Sequence, residues 1–110
     1  VYQGKPHIIV TTKQTQIYQG DKLTLEVIIV GDHEPPVLNW KTLEEEVIQT
    51  LPLDHVRNGV YRVVIPESDI DFEYNIQTIA GSEKLFYPAG APETNQVVIV
   101  QGTQFISGKD

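Results

Sequence analysis

The sequence predicts an all-β protein, an antiparallel β-sandwich of seven to eight strands. Three observations carry that expectation. Val, Ile, Thr and Tyr, the residues that fit a pleated and half-buried surface, gather in short runs. Gly, Pro, Asp and Asn break those runs every 8 to 12 residues or so, the rhythm of turns in a two-sheet fold. No segment of helix length repeats its apolar residues with a 3.6-residue period.

Each element follows from its own residues. His7 to Lys13 (HIIVTTK) is a first strand, and a short extended piece at Ile17 and Tyr18 leads to a turn at Gly20 and Asp21. Lys22 to Val30 sets Leu23, Leu25, Val27 and Ile29 on one face, the two-residue alternation of a strand laid on a core. The consecutive prolines of Gly31 to Pro36 remove ladder donors and make that segment a loop. Val37 to Leu43 is the next strand, with Leu38 and Trp40 facing inward; Glu44 to Glu46 is a solvated turn. Val47 to Leu53 is a strand that Pro52 pushes to a sheet edge. Residues 54–59 close it, with Asn58 and Gly59 supplying a left-handed turn. Val60 to Ile65 and Phe72 to Ile79 are strands joined by Pro66 to Asp71; Gly81 and Ser82 turn into Glu83 to Tyr87. Pro88 to Pro92 interrupts that strand and Asn95 to Val100 resumes it.

The chain has 110 residues, enough for one core, since compact domains run about 100 to 150 residues. We expect one sandwich over residues 1–102 and a polar tail over 103–110. Fifteen Asp and Glu against eight Lys and Arg give a net charge of −7, a surface that repels phosphate backbones and anionic headgroups. Nucleic acid and membrane insertion are therefore not expected. With no cysteine there is no disulfide, thiolate metal site or thiol nucleophile. The absence of methionine and of a basic-then-apolar start suggests a piece of a longer protein.

The succession GDKLTLEV, LNW, NGVYRVVIP and DFEYNIQTIAG resembles the fibronectin type III and immunoglobulin-like modules of secreted bacterial proteins. The likeness spans about residues 5 to 101, and FYPAGAPETNQVVIV is similar to the closing strands of modules in polysaccharide-degrading enzymes. The immunoglobulin disulfide is missing, and Trp40 stands where many relatives carry another aromatic. The resemblance implies an extracytoplasmic, non-catalytic accessory module, packed against or spacing a catalytic, glycoside-active domain of the same polypeptide.

Candidate site residues are few. Asp69, Asp71 and Glu73 fall on one side of an extended chain and could offer carboxylates to calcium, but the further oxygens, turn Gly and closing Glu of a calcium loop do not follow. The face of a strand left in water is the simpler reading. Asp32, His33 and Glu34, and Asp54 with His55, could form acid-base pairs, yet no Gly-x-Ser-x-Gly elbow accompanies them. No cofactor is expected, because the phosphate-cradling loops are missing too.

Tyr18 and Tyr87, near strand ends, are the better candidates for an exposed sugar-stacking platform, with Phe86 and Trp40 behind them. Structural roles fall to Trp40 and Tyr61, and to Tyr74, whose hydroxyl should turn back to the backbone near Ile70 as a tyrosine corner. Carbohydrate binding through the exposed aromatics is the alternative function. An adhesion or protein-interaction module that pairs its edge strand with a partner is the third.

Overall fold

The computed structural model describes residues 6–12 and 14–102; Lys13 and the expected tail, 103–110, lie outside them. Ten strands run in order: β1 (His7–Val10), β2 (Gln16–Tyr18), β3 (Leu23–Val30), β4 (Val37–Thr42), β5 (Gln49–Pro52), β6 (Asp54–Arg57), β7 (Val60–Ile65), β8 (Phe72–Ala80), β9 (Glu83–Tyr87) and β10 (Gln96–Gln101). They form two sheets, β1-β3-β7-β6 and β2-β10-β8-β4-β5, with β9 also paired to β8. The first sheet carries the strands that an immunoglobulin sandwich places in its four-stranded layer, and β5 extends the other.

Alternation builds the core. Leu23, Leu25, Val27 and Ile29 of β3 are at most 2% exposed, and Val63 and Ile65 of β7 join them through the β3–β7 register. The second sheet answers with Leu38 of β4, Phe72, Tyr74 and Ile76 of β8, and Val98 of β10. Each such side chain contributes about 1.5–3 kcal/mol by leaving water, so the inward faces specify both the fold and its register. Trp40 packs on this core edge-on to Phe72, ring centroids 5.7 Å apart.

β1 and β2, and likewise β5 and β6, are divided between the sheets. β1 pairs antiparallel with β3, whereas β2 pairs parallel with β10, so the expected strand His7 to Lys13 ends early. The chain leaves the first sheet after Thr11 and Thr12 have bonded Glu26. Likewise the expected strand Val47 to Leu53 begins only at Gln49, and residues 54–57, expected as part of a turn, are β6 in the opposite sheet. Leu53 is the pivot: it is buried, and its N–H reaches the Pro36 carbonyl between the two strands. β9 and β10 lie along one edge of β8, at its far and near halves, as one strand interrupted.

Of the Asn58-Gly59 pair only Gly59 takes the left-handed backbone, at φ +76°. Its carbonyl accepts from Ile29 N, and an added Cβ would lie 3.1 Å from the Ile29 oxygen. The turn thus sits against β3, where only glycine fits without strain.

Candidate functional site

The carboxylates of residues 69–73 do not share one fate. Asp69 is exposed. Asp71 is half-buried, and its Oδ1 accepts from Val100 N at 2.7 Å. The reason is geometric: β10 matches β8 only as far as Val98 opposite Phe72, so the next inward-directed N–H, that of Val100, finds no strand carbonyl and takes a side-chain oxygen. Glu73 is half-buried too, and its Oε2 accepts from Asn95 Nδ2 at 2.9 Å. The expected watery strand face is therefore a set of fasteners at these two positions. Among the described residues no group of three or more His, Cys, Asp or Glu is placed to hold a metal ion.

Glu73 ends a chain of side-chain hydrogen bonds running across the outer face of the larger sheet. Thr50 Oγ1 of β5 donates to Asn39 Oδ1 of β4 at 2.9 Å. Asn39 Nδ2 donates to Asn75 Oδ1 and Gln77 Oε1 of β8. Asn75 Nδ2 donates to Asn95 Oδ1 at 3.0 Å, and Asn95 donates on to Glu73. Asn39, Asn75 and Asn95 each donate in the same direction toward the carboxylate, with Gln77 a side branch, so each bond along that line polarises the next. Asn75 is buried and could not sit there without partners on both sides. The network missed in the sequence joins residues 39, 50, 75 and 95, which no local motif connects.

The expected tyrosine corner is replaced. Ser68 Oγ donates to the Ile70 carbonyl at 2.7 Å and accepts from Ile70 N, while no hydrogen bond links the Tyr74 hydroxyl to Ile70 among the described residues. Tyr74 is a core residue, 2% exposed. Burial, and then the neighbouring Tyr87, push its hydroxyl pKa well above the ordinary value for tyrosine.

His33 and His55 gather around Tyr61. His33 Nδ1 lies 2.7 Å from the Gly31 carbonyl, which can only accept, so Nδ1 carries a proton, and Nε2 shares a hydrogen bond with the Tyr61 hydroxyl at 2.7 Å. Tyr61 packs against the core, with the His33 and His55 rings 5.6 and 5.2 Å from its own. Asp32, Glu34, Asp54 and His55 are exposed. The cluster closes one end of the sandwich.

The aromatic platform does not form as expected. Tyr87 faces inward beside Ile76 and packs on the core; its strand-end position gave no hint of which face it would take. Tyr18 is half-buried on β2, and Phe86 is half-buried opposite Gln77. What the surface displays instead is aliphatic. Val47 and Ile48 are 65% and 61% exposed, the highest among the large exposed hydrophobics, and Leu43 follows at 45%. All three belong to the β4–β5 connection, Leu43 before and Val47 and Ile48 after the run Glu44, Glu45 and Glu46.

No family model matches the sequence, and no curated protein matches it. Solved structures do. One is a chain from the crystal structure of the complex of titin M10 with a mutant Ig domain of obscurin-like 1: TM-score 0.52, 13% identity, over 91% of this chain and 97% of that one. The likeness shows the fold, an immunoglobulin-like β-sandwich.

Proposed function

We propose that this chain is a non-catalytic immunoglobulin-like module that acts by contact, packing against or spacing neighbouring domains of its polypeptide or binding a partner chain. One observation carries the reading: its most exposed apolar side chains are gathered at the β4–β5 connection beside the edge strand β5, while its polar groups hold strands together. Gathered apolar exposure marks an interaction surface. That the solved structure it resembles comes from a complex with another protein supports the same direction. The narrower reading, a glycoside-active catalytic neighbour in an extracytoplasmic protein, rests on the sequence resemblance. A carbohydrate platform would have to rely on Tyr18, with Tyr87 turned to the core.

Removing the module from the polypeptide that carries it tests the proposal. Loss of thermal stability or of partner binding in the remainder is the expected result. Unchanged stability, solubility, activity and partner binding would refute it.

A further inference from the structure

Resting on that reading, we infer that the β4–β5 rim docks an extended, basic polypeptide segment whose residues alternate Lys or Arg with aliphatic side chains. β5 ends its sheet, and among the described residues no strand lies along its outer side. Such an edge offers unpaired N–H and C=O groups to an incoming strand. Pro52, which has no N–H, limits that pairing at the strand's end. At the other end Val47 and Ile48 supply the apolar contact.

Charge selects the occupant. Glu44, Glu45 and Glu46 are all exposed around those aliphatic side chains, and the whole chain carries a charge of −7. A second copy would bring the same glutamates against themselves, and like charges brought together in an interface oppose association. A cationic segment is drawn in. Past Leu43 and Glu44, at the end of the sheet where β4, the lead-in to β8 and β10 meet, a cavity of about 270 Å³ offers a socket for one basic side chain, lined by Leu43, Ile70 and Val100 together with Glu44, Asp69 and Asp71. An aliphatic stem can lie on the first three while the charged head meets the carboxylates.

The test titrates the isotope-labelled chain with a short synthetic peptide alternating Lys or Arg with Val or Ile, and with the same peptide carrying Glu in place of its basic residues. Amide shifts confined to Leu43–Leu51 and to the socket residues Asp69, Ile70, Asp71 and Val100, with the basic peptide only and weakening with added salt, are expected. Glu44→Gln with Asp69→Asn should weaken binding roughly three- to tenfold, the scale of two exposed ion pairs. Val47→Ser with Ile48→Ser should weaken it by about tenfold or more. All four positions are exposed, so an unchanged unfolding temperature shows that the variants remain folded. Equal binding of the acidic peptide, no localised shifts, or a dimer in sedimentation that covers this rim would overturn the inference. Shifts mapped to another face would overturn it too, while leaving the contact-module reading intact.

Discussion

Replacing Asp71 by alanine removes the acceptor that holds Val100 N–H at 2.7 Å. A hydrogen bond to a charged group is worth about 1.5–3 kcal/mol, and orphaning a buried donor costs about 1–3 kcal/mol. The pair is half-buried, so water restores part of the loss, and the cost should be about 2 kcal/mol. For a domain of roughly this size that lowers the unfolding temperature by about 8–12 °C. Asp71→Asn keeps an oxygen but no charge and should lose about half as much. Asp69→Ala, two residues away and exposed, should change stability by less than about 0.5 kcal/mol. Thermal unfolding followed by circular dichroism, with amide exchange at Val100, reads all three. If Asp71→Ala and Asp69→Ala behave alike, Asp71 is not a fastener and this part of the account is wrong.

Other substitutions probe the remaining features. Asn75→Ala breaks the amide chain at its buried member and should cost about 1–3 kcal/mol by denaturant melt; a loss below 0.5 kcal/mol would show that the chain carries no stability. Gly59→Ala forces a side chain into a left-handed site 3.1 Å from the Ile29 oxygen, and a loss of about 1–2 kcal/mol is expected. Thr42 Oγ1 is buried without a partner, so Thr42→Val, which keeps the shape and drops the hydroxyl, should leave stability unchanged or raise it by up to about 1 kcal/mol. Tyr74 keeps its proton in the folded state where an unfolded tyrosine, near pH 10, begins to lose it. The unfolded state then binds fewer protons, so stability is unaffected by this group below about pH 10 and falls as pH rises above it. A Tyr74→Phe variant should show a shallower alkaline decline, measured by unfolding at a series of pH values.

The inward faces were legible because alternation over β3, β4, β7 and β8 needs only neighbouring residues to be read. Leu25, Leu38 and Phe72 fall where their spacing puts them, fully buried. The sheet switch at Leu53 was not legible, since residues 54–57 are exposed throughout and carry no apolar period. The two-residue spacing separates Asp71 and Glu73 from the buried Phe72 and Tyr74 but says nothing of their partners, because Val100 and Asn95 are brought there only by β10 and the connection before it. Tyr74 occupies a corner's spacing, yet Ser68 reaches the Ile70 backbone from two residues away. The aliphatic rim was hidden for a related reason: Val47 and Ile48 look like the start of a buried strand until the ladder between β4 and β5 is seen to stop at Trp40 opposite Gln49.

Amide hydrogen exchange, comparing the isolated module with the same module in the polypeptide that carries its neighbours or in its partner complex, tests the contact role at the β4–β5 rim most directly. The account predicts protection gained between Leu43 and Leu51. Unaltered exchange there, with new protection along β2, β6 or the outer face of the smaller sheet, would contradict it.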